Sequence, residues 1–318
     1  MPELPEVETV RRGLEPWLTG RKIKKLEVLH RGANRARTYL PLEAVNGAKI
    51  LRIRRRGKFL WFELDRDFAL VAHLGMSGQF IVRDREAPLE THARARIDFG
   101  DRKREIRFID QRTFGWLAID DLVDSKRGRV PRSMRHIAAD IFESDYVEAD
   151  VIESIRRRKS EIKRVLLNQE IVSGIGNIYA DEALWYSKIH PERIASNLSE
   201  VEIRSILKSV KKVMKRALEA GGTTFDDLYI KVNGESGYFD ISLRAYGQDG
   251  RSCRRCGAII RRIAFANRSS HFCPRCQVGP RKVAGRGSRK NVNKNVGKNV
   301  GKNVGKKVGK KARKTGAK

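Results

Sequence analysis

Long apolar runs are missing from this chain. No stretch of its 318 residues approaches the roughly 18 consecutive apolar side chains of a membrane-spanning helix, and mean hydropathy is −0.53. The first fifteen residues carry four acidic groups and no apolar core, which predicts that no secretory signal peptide is present. Cysteine is scarce at four residues, and a chain of this length buries enough surface to need no disulfide scaffold. Acidic residues are short too: 38 Asp and Glu stand against 68 Lys and Arg, a formal net charge of +30. The deficit is uneven. Residues 281–318 hold 15 basic residues and neither an acid nor an aromatic, leaving 53 basic against 38 acidic residues before them. Both parts are basic, so nucleic acid is the expected partner and a membrane is not. A soluble, cytoplasmic nucleic-acid-binding protein is the starting expectation.

What little cysteine there is stands in order. Cys253-x2-Cys256 is followed after 16 residues by Cys273-x2-Cys276, with none left over. Two such knuckles joined by a hairpin suit one structural Zn²⁺ held by four thiolates.

The chain length suggests two domains with something left over. A short opening helix is marked by Val7, Val10, Leu14 and Trp17 at helical spacing, with Pro5 in its first turn. Residues 22–120 read as strand-rich: Arg94 to Phe99 alternate strictly, and 58–64, 68–73, 79–82 and 105–109 are similar. Many short strands separated by turns predict an antiparallel β-sandwich over 1–120, and 121–147 reads as an irregular linker. Residues 148–250 read as helical. Ile155, Ile162, Val165 and Leu166 form one apolar stripe, and residues 178–186 form another. A third helix is announced by a Ser199/Glu202 capping box and a Leu198/Ile203 staple, and it ends at Gly221-Gly222. The finger occupies 251–280. The tail repeats Lys-Asn-Val-Gly with period four; one valine per repeat cannot offset backbone ordering, so 281–318 is expected to be disordered. The expected class is α+β and multi-domain.

Several clusters carry possible chemistry. Ser173-Gly174-Ile175-Gly176-Asn177 precedes a helix, Asn177 is a natural N-cap, and free N–H groups at a helix start suit a phosphate. Arg156, Arg157, Arg158, Lys159 and Lys163 lie just before it and suit a DNA backbone. Arg52–Lys58 reads as a solvated strand face in which Gly57 lets Lys58 bend toward a phosphate or sugar. Met76, set between glycines, either packs into the core or wedges between bases. Arg112 and Phe114, two apart, share one face. Removal of Met1 would expose Pro2, a secondary amine able to attack a sugar C1′, with Glu3 beside it as a proton donor or acceptor.

Taken together, residues 1–9, 73–78, 110–115, 173–180, 221–224 and 237–239, with the finger and its Asn267–Ser270 loop, resemble the bacterial formamidopyrimidine-DNA glycosylases. The resemblance covers 2–277 and implies excision of oxidised purines from duplex DNA, followed by β,δ-elimination at the abasic site. It implies Pro2 as Schiff-base nucleophile, Glu3 as proton donor, Lys58 for β-elimination and Arg268 for phosphate binding and δ-elimination. It further implies that Met76, Arg112 and Phe114 fill the space of the flipped base, with Arg112 facing the orphaned cytosine. His73, His92, Arg158, Lys163 and Asn177 become DNA contacts in a helix–two-turn–helix domain. Thr223, Thr224, Phe225, Asp226 and Asp227 form a lesion-recognition loop. One structural zinc, no small-molecule cofactor, a monomer and a nucleoid-associated bacterial enzyme are expected. Two alternatives remain: an oxidised-pyrimidine glycosylase of the endonuclease VIII kind, and a non-catalytic zinc-finger DNA-binding protein.

Overall fold

An amphipathic helix, α1 (Leu4–Leu18), opens the computed structural model, which describes residues 2–33, 40–100, 103–125, 128–221, 232 and 243–279. Its Leu4, Val7, Val10, Leu14 and Leu18 recur at three- and four-residue steps and are all buried. Each contributes about 1.5–3 kcal/mol by leaving water.

Nine strands follow: β1 (Lys25–Val28), β2 (Ile50–Arg56), β3 (Phe59–Leu64), β4 (Phe68–His73), β5 (Gly78–Asp84), β6 (Ala93–Asp98), β7 (Arg104–Asp110), β8 (Trp116–Val123) and β9 (Val130–Pro131). They pair antiparallel in two sheets, of order β1-β6-β7-β5 and β2-β3-β4-β8-β9. The core between them joins Leu60, Phe62 and Leu70 to Phe80, Ile106 and Phe108, and α1 closes one side. The second sheet is buried on its other face as well, where Trp61, Val71 and Leu122 meet Met134 and Ile137.

Two expectations change here. The stretch after 120 is not simply a linker. β8 runs on to Val123, β9 pairs with it, and Met134 and Ile137 cover the sheet. Nor is Arg52–Lys58 a solvated face throughout: Arg52 is exposed, but the stretch turns inward after it. Arg55 is buried between Asp140 (2.7 Å) and Glu8 (2.9 Å), and Arg56 meets Glu143 at 3.3 Å. Burial of these guanidiniums is tolerated because each has a carboxylate partner.

The helical part contains α2 (Glu148–Arg156), α3 (Ile162–Leu166), α4 (Asn177–Ser187) and α5 (Glu200–Glu219). The stripe from Ile155 to Leu166 is two helices, because the backbone between them turns to pair with 193–196. Ile162 N–H donates to Arg193 O, and Ala195 N–H to Ser160 O. All four apolar residues still share one core. α5 begins at its Ser199/Glu202 capping box and buries Ile203, Ile206, Leu207, Val210, Val213, Met214 and Ala217. Strands β10 (Arg261–Phe265) and β11 (Arg268–Phe272) form the finger hairpin. Among the described residues, no helix is long and apolar enough to cross a membrane.

Candidate active site

Three chain segments close on one another through glycines. Gly57 turns β2 into β3 at φ +55°, and a Cβ there would lie 2.8 Å from the Ser173 side chain. Gly174, at φ +89°, makes room for Leu4, whose N–H donates to the Gly174 carbonyl at 3.1 Å. At Gly176 a Cβ would collide with the Glu3 carboxyl group. The Arg-Gly-Lys turn, the N-terminus and the 173–177 turn are thereby forced together.

The N-terminus of α4 is already filled by an anion from the chain itself. Glu3 accepts from the N–H of Gly176 at 2.6 Å and of Ile178 at 2.8 Å. The N-cap is Gly176, and the expected cap from Asn177 is not made; its Nδ2 donates instead to the Ser269 carbonyl, 3.1 Å away. A phosphate on these amides would have to displace a carboxylate 173 residues away in sequence. Glu3 is 1 % exposed, and burial pushes its carboxyl up to about 7. The Lys58 ammonium and the two N–H donors pull the other way, while Glu6 adds to the rise. Lys58 is likewise buried and donates to the Ile175 carbonyl at 2.9 Å. Burial pulls its ammonium below the ordinary lysine range, with Glu3 opposing. Sequence reasoning missed Glu6 and Tyr179. Glu6 accepts the Glu3 N–H at 2.8 Å and the Tyr179 hydroxyl at 2.7 Å, bracing α1 against α4. Pro2 is half-buried next to this group.

The four cysteine sulfurs lie within 4.8 Å of one another. A tetrahedral Zn²⁺ with about 2.3 Å bonds places its sulfurs about 3.8 Å apart, so the donor set fits the metal. The hairpin turns at Ala266 and Asn267, both at positive φ, and presents Arg268 to solvent at the first position of β11. Lys163, an expected DNA contact, is fully buried; it pairs with Asp181 at 2.6 Å and donates to the Ser269 carbonyl at 3.0 Å. That lysine joins the helical part to the finger, and no free face is left for a phosphate.

A second group of expected residues is exposed on two neighbouring turns. Met76 is 41 % and Phe114 47 % exposed, although apolar, and Arg112 Nη1 lies 4.0 Å from the Met76 sulfur. Buried Asp110 fixes both turns by accepting from the Ser77 hydroxyl (2.5 Å) and the Gly115 N–H (2.6 Å). Thr113 sits at φ +54°, a strain of about 1 kcal/mol that persists because its neighbours are held. His73 stacks on Trp116 at 5.8 Å, and burial, with Lys58 adding, pushes it down to about 4, so it is neutral at pH 7. His92 is half-buried just before β6, and its carbonyl accepts the Asp110 N–H. Arg156 at the end of α2, and Arg157, Arg158 and Lys159 on the turn that follows, are all exposed. Thr223, Thr224, Phe225, Asp226 and Asp227 lie outside the described residues, as do 237–239 and 281–318.

The exposed trio predicts a split in activity. On the activity that the resemblance implies, Arg112→Ala should slow base excision opposite cytosine by about 10–100-fold, the loss of one bidentate base contact of about 1–3 kcal/mol. Cleavage of a preformed abasic site should change far less. Single-turnover assays on both duplexes check this, and equal losses on the two would make Arg112 a general phosphate contact.

A buried carboxyl and a buried amine close to Pro2, with cations and apolar side chains exposed on other turns, suit a class: an enzyme that works on nucleic acid. Family models narrow the class. Residues 1–117 match the formamidopyrimidine-DNA glycosylase N-terminal domain, 137–228 its H2TH domain, and 250–278 a zinc finger found in FPG and IleRS. A formamidopyrimidine-DNA glycosylase from a Nocardioides species is 48% identical over 297 residues, spanning 92% of this chain and 99% of its own. One from Rhodococcus opacus is 50% identical over 294 residues, spanning 90% and 100%. A Lactococcus lactis Fpg variant bound to Fapy-dG-containing DNA superposes with TM-score 0.76 at 34% identity, covering 87% of this chain and 100% of that one. The L. lactis enzyme with abasic-site DNA gives 0.75 at the same identity and coverage. The chain belongs to the formamidopyrimidine-DNA glycosylase family.

Proposed function

We propose that this chain excises oxidised purines, 8-oxoguanine and formamidopyrimidines among them, from duplex DNA and then cuts the strand at the abasic site. The observation that carries this reading is the burial of Glu3 and Lys58 on the 173–177 turn beside Pro2. Met1 is removed, and the free amine of Pro2 attacks C1′ of a flipped nucleotide. The glycosidic bond breaks and the base leaves with the proton of the attacking amine; the nitrogen lone pair then opens the C1′–O4′ bond, and Glu3 supplies the proton that O4′ takes up. The resulting iminium acidifies the C2′ proton. Lys58, whose ammonium is destabilised by burial, takes that proton and the 3′ phosphate leaves. Arg268, exposed at the hairpin turn, holds a phosphate for the second elimination. Met76, Arg112 and Phe114 occupy the vacated stack. Arg158 holds the DNA backbone, and His73, neutral on its Trp116 shelf, keeps the Met76 turn in place by accepting the Gly75 N–H at 3.0 Å. Zinc, when bound by Cys253, Cys256, Cys273 and Cys276, supplies a crosslink that orders the hairpin. The enzyme acts as a monomer on cytoplasmic, nucleoid DNA.

This chemistry fixes a pH profile. Pro2 works unprotonated, and an α-amino group titrates near pH 8, so its active fraction grows as pH rises. Glu3 works protonated, and with its carboxyl at about 7 its active fraction falls above that value. Single-turnover excision should therefore be bell-shaped around pH ~7.5, about sixfold slower at pH ~6 and ~9. Glu3→Gln should remove the alkaline limb along with most of the rate. A wild-type rate still climbing above pH ~9 would remove Glu3 from the role of acid.

A further inference from the structure

Asp181 is a buried carboxylate that the chemistry above does not use, and it is the hub of the contact between α4 and the finger. It pairs with Lys163 at 2.6 Å. It also accepts from the Ser270 hydroxyl at 2.8 Å and from the His271 N–H at 2.9 Å. The His271 ring nitrogen Nδ1 stands 3.2 Å from the same carboxylate. Lys163 and Asn177 then converge on one finger atom, the Ser269 carbonyl, at 3.0 and 3.1 Å. Three consecutive residues of β11, 269–271, are thus clamped to helices α3 and α4 by a single ion pair and its neighbours. Arg268 is the residue immediately before the clamp, and its charge is felt at both Lys58 and Lys163.

We infer that Asp181 is a positioning residue: paired with Lys163, it latches β11 to α4 and holds Arg268 over the site for the second elimination. The argument is geometric. Arg268 stands at the hairpin turn, exposed, where among the described residues its own backbone is paired with Phe265 alone. An exposed arginine on a two-stranded hairpin has several freely rotating bonds. Its guanidinium meets a chosen phosphate only if the strand beneath it is fixed. The clamp begins one residue away, so a shift of β11 by even about 1 Å moves Arg268 by the same amount. The removal of the base and the first elimination draw on Pro2, Glu3 and Lys58, and the hydrogen bonds of Glu3 and Lys58 run to Gly176, Ile178 and Ile175 rather than to the finger. Loosening the latch should leave those steps and impair the last. In that step a proton leaves C4′ of the unsaturated sugar and the C5′–O bond breaks, releasing the sugar fragment and leaving phosphate on both DNA ends.

The inference rests on Arg268 serving the second elimination, and the experiment separates the two. Full-length, zinc-loaded Asp181→Ala, Asp181→Asn, Asp181→Glu and Arg268→Ala are compared on duplexes carrying 8-oxoguanine or a preformed abasic site. Zinc content is read with a chromogenic chelator. In Asp181→Ala the ratio of β-elimination ends to β,δ ends should rise about tenfold, with excision and borohydride trapping within about threefold of wild type. Asp181→Asn, which keeps an acceptor for the hairpin but loses the charge opposite Lys163, should fall between. Asp181→Glu should restore most of the wild-type ratio, which a merely packing role would not. If Asp181→Ala fails to hold zinc, Ser270→Ala carries the test, since it removes one strut and leaves the ion pair; a shift of about threefold in the same direction is expected. An unchanged product ratio in zinc-loaded Asp181→Ala, or in Ser270→Ala where that variant carries the test, overturns the latch. An unchanged ratio in Arg268→Ala shows instead that the role given to Arg268 is wrong.

Discussion

Cys256→Ser should cost roughly two orders of magnitude in affinity for an abasic-site duplex while leaving the β-sandwich folded. Losing one of four thiolates removes most of the metal's binding free energy, and in a hairpin this small that energy is what folds it. The finger has little core of its own: Trp185, Ala245, Ile260 and two of the cysteines make up its buried cluster. Without zinc, the contacts of Ser269, Ser270 and His271 with α3 and α4 are lost, and Arg268 is lost with them. The sandwich draws on a separate core of α1 and both sheets, which contains no finger residue. Anisotropy titrations with labelled duplex, alongside hydrogen exchange of the strand amides, check both halves of the expectation. Tight DNA binding by a zinc-free Cys256→Ser protein would contradict it.

Pro2→Gly should lower borohydride trapping on damaged DNA by about 100-fold or more, although glycine also offers an amine. The difference is chemical. A secondary amine forms an iminium with no N–H proton to lose, so its positive charge persists at neutral pH and keeps withdrawing electrons from C2′. A primary amine forms an imine that is largely neutral there and is a weaker electron sink. Retaining Met1 or an N-terminal tag turns the same nitrogen into an amide and should remove the product entirely. Gel-shift affinity for an undamaged duplex should stay near wild type in both proteins. Lost affinity in parallel with lost trapping would assign Pro2 to folding, where its place ahead of α1 would then be the explanation.

The parts of this protein that were legible in its sequence are those governed by local rules. Strict alternation gave β6, four cysteines at knuckle spacing gave the finger, and Ser199 with Glu202 gave the start of α5. Exposed apolar residues such as Met76 and Phe114 stood out because they fitted no apolar period. What could not be read depends on partners far away in the chain. Arg55 and Arg56 look like a solvated run until Asp140 and Glu143, more than 80 residues on, supply buried carboxylates. Asn177 is a sound N-cap by local rules and lost the place to Glu3, 173 residues away from Gly176, because the glycines of that turn admit the N-terminus. Lys163 reads as one more cation in a basic stretch; only Asp181, one turn beyond Asn177 on α4, shows that it faces inward. Helix α4 itself is buried from Ile178 to Trp185, including two acids, so its true surroundings left little amphipathic trace.

The central claim is that the N-terminal proline performs the chemistry and that buried Lys58 serves it. The most direct measurement is to reduce the reaction of wild-type protein on an 8-oxoguanine:cytosine duplex with borohydride, digest it, and locate the DNA adduct by mass spectrometry. A single adduct on the nitrogen of Pro2, in a peptide lacking Met1, is the predicted result. An adduct on Lys58, or excision that leaves no trapped species at all, would contradict the account.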